Sequence, residues 1–328
     1  MASARPQKKI LVIGELNVDL ILSGLDAFPT LGQEILADEL SVVLGSASAI
    51  YAAGLARLGA HVDFVGKLGA DHYGDFIRQQ LRQRGVGIQH LIRDESVRTG
   101  MTISLTSPHD RALITYLGSI PQLRLADVNI AILQHYRHLH VSSYFLQKGL
   151  QVGLPTLFRQ AHEAGLTVSL DTGWDPKGRW GGDALLALLE QVDLFMPNED
   201  EARAIARVDD VGQALCELVK RARWVVVKRG AAGATSLRDG QIVHSPAFPV
   251  NVVDTTGAGD SFNAGLTFAH VVLGLPLREA LRFANACGAH STTGLGGTAA
   301  QPTLEQVQTL LKEQMSPRLP LRNRNAVT

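Results

Sequence analysis

Short apolar runs alternate along this chain with stretches of helical periodicity, and that alternation limits the fold more than any other feature. Ile10 to Ile13 is a continuous apolar run ending at Gly14. Similar runs occupy Val62 to Val65, Leu139 to Val141, Thr167 to Leu170, Leu194 to Met196 and Trp224 to Val227. Uninterrupted apolar runs of this length suit strands buried on both faces. Helix-like stretches lie at Ala47 to Leu58, Asp75 to Arg84, Gly153 to Ala164, Ala184 to Glu190, Glu199 to Ala206, Val211 to Arg221 and Leu277 to Thr293. Strands and helices in this order predict βαβ units, and so an α/β chain whose mostly parallel sheet is covered on both faces. Near the end, Thr303 and Gln306 predict a capping box ahead of Val307, Leu310 and Leu311. Two stretches break the rhythm, residues 18–44 and 99–116, the second with a turn-like Ser107 to Asp110. Both fit antiparallel strands standing off the main sheet.

Composition narrows the function classes. In 328 residues, 31 Lys and Arg balance 31 Asp and Glu, so no global field favours nucleic acid or an anionic membrane. The local cluster of Arg221, Arg223, Lys228 and Arg229 is interrupted by apolar residues and reads as a solvated helix end. Cys216 and Cys287 cannot make a disulfide framework, and no C-x-x-C or zinc-like His spacing accompanies them; a reducing cytoplasm is expected. The first apolar run is too short for a signal h-region or a membrane span.

The chemistry concentrates in Asp254-Thr255-Thr256-Gly257-Ala258-Gly259-Asp260-Ser261-Phe262. A β-branched run (Val250, Val252, Val253) precedes it, and Phe262, Leu266, Ala269 and Leu273 form a helical stripe after it. Small residues at a strand-to-helix junction let backbone N–H groups converge at the positive end of a helix dipole, which makes an anion site. Asp260 places a carboxylate at that point, suited to take a proton from a hydroxyl attacking a phosphate. An ordinary glycine turn with an acidic first helical turn is the alternative from these residues alone. No G-x-x-x-x-G-K-[ST] pattern occurs, which leaves a P-loop unsupported.

That nine-residue run resembles the second signature of the ribokinase-like (PfkB) carbohydrate kinase family, and the resemblance extends over residues 10–312. It implies a ribokinase-like three-layer sandwich with a small β lid built from residues 18–44 and 99–116, followed by a tail at 313–328. It further implies ATP as phosphoryl donor, Asp260 as catalytic base and Gly257, Ala258 and Gly259 as the anion hole. Gly14 to Asp19 resembles the segment after the family's first strand, with Asn17 and Asp19 as sugar anchors; a turn built on Asn and Asp is the alternative from the residues alone. Gly45-Ser46-Ala47-Ser48-Ala49-Ile50 resembles the first signature with two departures: Ser46 replaces a glycine and Ile50 replaces the sugar-binding asparagine. Isoleucine offers no hydrogen bond, so one polar contact to substrate is expected to be missing; a core role on the helix is the other reading of Ile50. Gly66 to Asp71 resembles a structural turn. Asp171-Thr172-Gly173-Trp174-Asp175 resembles an Asp-x-Asn-x-Arg region in which Gly173 and Asp175 replace Asn and Arg. A missing Arg argues against an acidic sugar.

Asn198 and Glu201 match the family's N-x-x-E motif, which organises Mg²⁺ and its waters; an acidic helix start whose carboxylates complement the dipole is the alternative. Lys228 and Gly230 resemble the strand end that meets the nucleotide, Asn285 a contact on the helix flanking adenine, and Asp254 with Thr256 a monovalent-cation site for K⁺. Family members often dimerise through the lid strands, which makes a homodimer the expected assembly. Three functions follow: an ATP-dependent sugar kinase, a nucleoside kinase of the same fold, or a non-catalytic binding member. A nucleoside needs stacking partners. Only 5% of the chain is aromatic, with Phe28, Tyr116 and Phe145 as candidates and no evident cluster.

Overall fold

A computed structural model describes residues 9–106 and 111–313. The first eight residues, the turn expected at Ser107 to Asp110 and the tail from residue 314 lie outside the described residues. The chain opens with β1 (Lys9–Ile13), enters the lid as β2 (Asn17–Ser23) and β3 (Glu39–Leu44), and returns through α1 (Ala47–Arg57) to β4 (Val62–Gly69). After α2 (His72–Gln83) and β5 (Gly87–Asp94) it visits the lid again as β6 (Gly100–Thr106) and β7 (Arg111–Tyr116). The parallel part resumes with β8 (Tyr136–Val141), α3 (Lys148–Gln151), α4 (Leu154–Glu163), β9 (Thr167–Leu170) and α5 (Gly182–Leu189). It continues through β10 (Leu194–Phe195), α6 (Glu199–Ala206), α7 (Val211–Leu218) and β11 (Val225–Lys228). A hairpin of β12 (Ala234–Arg238) and β13 (Gln241–Ser245) precedes α8 (Ala258–Thr267), α9 (Leu277–Ser291) and α10 (Leu304–Glu313).

Among the described residues the main sheet runs β13-β12-β11-β10-β9-β8-β1-β4-β5, parallel from β11 to β5 and antiparallel at the β11–β12–β13 edge. Central β1 shows why the apolar runs are unbroken. Ile10 and Val12 join the core under α1, α8 and α9, while Leu11 and Ile13 join the opposite core against α4 and α5. Each strand side chain therefore meets a helix layer whichever way it points. The predicted capping box is present: Thr303 N donates to Gln306 Oε1 at 2.8 Å, and Gln306 N to Thr303 Oγ1 at 3.3 Å. Among the described residues no helix is long and apolar enough to cross a membrane.

The lid sheet runs β3-β2-β6-β7. Its outer pairs are antiparallel as expected, but the middle pair β2–β6 is parallel, with Asp19 opposite Thr102. Both strands leave the same edge of the main sheet, after β1 and β5, so they run in one direction.

Four local expectations differ from the structure. Val250 to Val253 form no strand; Val252 and Val253 are more than half exposed, and the loop is tied down instead by Val253 N and Asp254 N donating to Thr292 O. The stripe through Leu273 breaks because a π-helical turn at Phe268–Val272 shifts the phase, leaving Leu273 exposed. Gly66 to Gly69 lie within β4, where an earlier turn was expected, and Asp71 caps α2 by accepting from Gly74 N. Finally, β5 and the β12–β13 hairpin had no counterpart in the sequence reading. The hairpin signal is Asp239-Gly240, both at positive φ (49° and 76°), the pair that a tight two-residue turn favours.

Helices α8 and α9 approach closely at Gly265, where an added Cβ would lie 2.7 Å from Cys287 Sγ and 3.1 Å from Ala284 Cα. Gly265→Val forces these helices apart and is expected to lower stability by about 1–3 kcal/mol. The urea midpoint should fall with an unchanged m-value; an unshifted midpoint would show that the helices separate freely.

Candidate active site

The C-terminal ends of the parallel strands deliver polar side chains to one edge, where ligands of open α/β sheets bind. Gly14 and Glu15 follow β1, Ser142 and Ser143 follow β8, Asp171 follows β9, and Asn198 follows β10. Lys228 ends β11, and its N–H donates to Pro197 O at 3.0 Å, which carries strand-like pairing up to the site. Helix α8 points its N-terminus at the same edge. Its N-cap, Gly257, sits at φ 72° and supplies no side-chain cap; Ala258 N–H donates to Thr255 O at 3.2 Å, which leaves the later first-turn N–H groups of α8 for an anion. A Cβ at Gly257 would come within 2.7 Å of Gly297 Cα and 3.0 Å of Ile50 Cγ2. Glycine is therefore required there twice over, by conformation and by space.

A cavity of about 220 Å³ lies between this helix start and the lid. Asn17, Asp19, Ile50, Thr256, Gly257 and Asp260 all line it, so the structure brings these sequence-predicted residues together. Asn17 Nδ2 donates to Asp19 Oδ1 at 2.7 Å and to Thr102 Oγ1 at 3.2 Å, pinning the pair to β6. Gly45 packs behind them; a Cβ there would collide with Asp19 Oδ1 at 2.1 Å. Ile50 is buried and combines both readings made of it: it forms part of the cavity wall and packs against Gly257 and Gly297.

Beside the cavity, Lys228 Nζ pairs with Asp171 Oδ2 at 2.5 Å and donates to Asn263 Oδ1 at 3.3 Å. Lys228 also runs past Gly259, where a Cβ would sit 3.6 Å from its Nζ. Burial alone would lower the pKa of this ammonium, but Asp171 and Glu201 outweigh it and hold the group above its ordinary value. Asp260 is pushed well above the usual carboxylate range, first by burial and then by the negative charge of Asp171, with Glu15 and Glu201 adding to it. Glu201 is raised to about 7, again by burial first and Asp171 second. Several acidic groups thus share one ammonium.

Asn198 and Glu201 form a reciprocal capping box on α6. Asn198 N donates to Glu201 Oε2 at 2.8 Å, Asn198 Nδ2 to Glu201 Oε1 at 2.9 Å, and Glu201 N to Asn198 Oδ1 at 2.8 Å. Among the described residues no three acidic, His or Cys side chains converge closely enough to cage a metal. The surplus of buried carboxylates fits a divalent cation held through water, the mode Mg²⁺ prefers. Asp254 bridges two loops: its Oδ1 accepts from Thr256 N (2.8 Å) and Thr256 Oγ1 (2.7 Å), and its Oδ2 from Gly296 N (2.8 Å).

Other predicted positions lie outside the cavity. Gly230 occupies a turn at φ 51° after β11. Asn285 Nδ2 donates to Ser245 O at 2.8 Å and Pro246 O at 3.2 Å, so its amide anchors the end of β13. Asp175 caps its own loop, accepting from Lys177, Arg179 and Trp180 N–H groups. The basic cluster is paired: Arg221 with Glu190, Arg223 with Asp193, Arg229 with Glu199. Aromatic residues do cluster, against expectation. Tyr144, Phe145, Trp180 and Trp174 meet edge to face because neighbouring strands β8 and β9 end beside each other. Sequence reasoning also passed over Glu15, Ser46 and Ser143 as polar groups, and Asn263 as the partner of Asp171. The signal for Asn263 was its position three residues beyond Asp260, on the same helix face.

Residues 7–304 match the family described as pfkB family carbohydrate kinase. A fructokinase of Klebsiella pneumoniae is 32% identical over 318 residues, covering 92% of this chain and 98% of that protein. The ribokinase of Arabidopsis thaliana, solved with ribose and ATP, superposes with a TM-score of 0.80 at 26% identity over 93% of this chain and 99% of its own. A fructokinase of Xylella fastidiosa with bound ATP gives a TM-score of 0.80 at 27% identity over 94% and 100%. The chain belongs to the pfkB family of carbohydrate kinases and is an ATP-binding phosphotransferase with an alcohol group as acceptor.

The raised Asp260 carboxyl is directly measurable. In a carbon-detected NMR titration it should lose its proton above the ordinary carboxylate range. Asp171→Asn removes the largest neighbouring negative charge, so the transition should move to lower pH. A transition already at the ordinary position in the unsubstituted protein would contradict the electrostatic account.

Proposed function

We propose that this family member transfers the γ-phosphate of ATP to a hydroxyl of a small neutral sugar, with Asp260 as the base. The observation that carries the reading is that Asp260, Gly257 and the Asn17–Asp19 pair line one cavity whose other wall is made by the lid strands. Asn17 and Asp19 receive sugar hydroxyls on the lid side. Asp260, its carboxyl raised above the ordinary range by burial and by Asp171, takes the proton from the attacking hydroxyl. The N–H groups of the Gly257–Ala258–Gly259 turn face charge that develops on the transferring phosphoryl group. Lys228, beside Gly259, adds a fixed positive charge to the phosphate path. Asn198 and Glu201 would hold Mg²⁺ through water, and the ion when bound neutralises phosphate charge. Closure of the lid excludes water from the attack.

The cavity lining contains no aromatic side chain among the described residues, which favours a sugar over a nucleoside base. Leu40, Val42, Ile114 and Tyr116 expose apolar surface on the face of the lid sheet away from the cavity, which supports a homodimer through that sheet. Unpaired Cys216 and Cys287 suit a reducing cytoplasm.

Assays of ADP release with fructose, ribose and a wider sugar panel, with adenosine and inosine alongside, test the acceptor class. Sugar-dependent turnover is expected, and release with nucleosides alone would refute the sugar reading. Asp260→Asn should lower kcat by about 10²- to 10⁴-fold while ATP binding by calorimetry stays within a few-fold. Near-normal turnover in that variant would assign the base elsewhere. Because Asp254 ties Thr256 to the Gly296 loop, K⁺ is expected to raise kcat/KM at this position; equal rates in K⁺-free and K⁺-rich buffer would remove the cation from the site.

A further inference from the structure

Glu15 lies in the cavity wall but has no part in the reaction just described. It follows β1, is 3% exposed, and lines the cavity with Ser46 and Ser143. Its Oε1 accepts from Ser143 Oγ at 2.9 Å and Ser48 N at 3.1 Å, and the Ser46 hydroxyl is shared between Glu15 O at 2.7 Å and Oε1 at 3.1 Å. Among the described residues, Oε2 accepts only from Ser48 Oγ. A carboxylate oxygen has two acceptor sites, so Oε2 keeps capacity for one more donor.

Two of the serines holding this carboxylate sit in conformations that L residues rarely adopt. Ser46 has φ 72° and Ser143 φ 50°. Such backbone persists only where the surroundings enforce it, and it gathers at ligand sites. Burying a carboxylate is unfavourable as well. An apolar side chain at position 15 with glycines at 46 and 143 would avoid all three difficulties. Keeping all three on the wall of one cavity is explained if the ligand uses the carboxylate.

We propose that Glu15 is a specificity-determining residue of the sugar site: Oε2 accepts a hydrogen bond from a substrate hydroxyl other than the one phosphorylated, while Ser46 and Ser143 hold the carboxylate in place. The inference rests on the sugar-kinase reading above. The acceptor is then a polyol read from two directions, by Asn17 and Asp19 from the lid and by Glu15 from the body. Ile50 contributes an apolar surface to the same wall and leaves the polar reading to Glu15.

The test compares the best sugar substrate with each of its monodeoxy analogues, on the unsubstituted enzyme, Glu15→Gln and Ser143→Gly. One deoxy position should cost about 10- to 100-fold in kcat/KM on the unsubstituted enzyme, and that same position should cost little further on Glu15→Gln. Glu15→Gln should raise the KM of the parent sugar by a similar factor, with the KM for ATP within about twofold. Ser143→Gly relieves a left-handed serine, so its melting temperature should hold or rise while the sugar KM increases. A merely structural role would lower stability and would not pair with one hydroxyl. If the losses from Glu15→Gln and every deoxy change multiply, Glu15 reads no hydroxyl and the proposal fails. Should Glu15→Gln not fold, an unchanged sugar KM in Ser143→Gly overturns it. Absence of turnover with any sugar on the unsubstituted enzyme is a different result, which removes the sugar-kinase reading and this inference together.

Discussion

The buried pair between Lys228 and Asp171 is the interaction on which the site depends. It joins the ends of β9 and β11 and, through Asn263, the first turns of α8, so three separate segments meet at one point. A buried ion pair gives little net stability, because desolvation offsets most of its attraction. Its value here is positional and electrostatic. Asp171 spends its charge on Lys228 and still raises Asp260 and Glu201, while Lys228 is held alongside Gly259. An arrangement with more acids than bases raises Asp260 and leaves a deficit of positive charge next to the α8 N-terminus. On the proposed reading, both features suit an edge that receives phosphate together with cations.

The second constraint is steric. Gly257 and Gly297 approach each other and Ile50 so closely that a Cβ at either glycine would clash, at 2.7 Å from Gly297 Cα and 2.4 Å from Ile50 Cδ1 respectively. Ile50 therefore fills space between the helix start and the 295–299 loop, the loop that Asp254 also grips through Gly296 N. Seen as a departure from a family pattern, Ile50 looked like a lost contact to substrate. In the structure it is a packing element that fixes the turn from which the α8 N–H groups project. A branched apolar side chain does that well because its χ1 is stiff.

Much of this was legible in the sequence, for physical reasons. Fully buried parallel strands announce themselves as unbroken apolar runs, which is why the runs at 10–13, 167–170 and 225–227 mark main-sheet strands. Edge and hairpin strands carry mixed patterns, so β5, β12 and β13 were passed over even though Asp239-Gly240 marked a turn. The π-helical turn after α8 has no compositional signature, and the stripe was extended through it. Within the site, residues contiguous in sequence were readable, Asp254 to Asp260 above all. Partnerships between strand ends were not. Nothing near Asp171 says that it meets Lys228 and Asn263, 57 and 92 residues away. Asn198 and Glu201 were readable twice, as a metal motif and as an acidic helix start, and the structure adds that they form a reciprocal capping box.

The position of Glu15 relative to Asp19 bears on how the lid and the body communicate. Only three residues separate them, yet Glu15 belongs to the body, held by serines of the α1 start and the β8 end, whereas Asp19 belongs to the lid sheet opposite Thr102. Between them Leu16 is fully buried in the main core, so the chain changes sheets within one or two residues of a fixed point. A ligand that bonds to both carboxylates would therefore bridge the two sheets across their shortest covalent connection. Free energy from those bonds would go into orienting the lid on the body, and the same orientation aligns a hydroxyl with Asp260 on the facing helix. On the proposed reading, recognition of the sugar and closure of the site are one event. A ligand lacking hydroxyls on either side would occupy the cavity without drawing lid and body together.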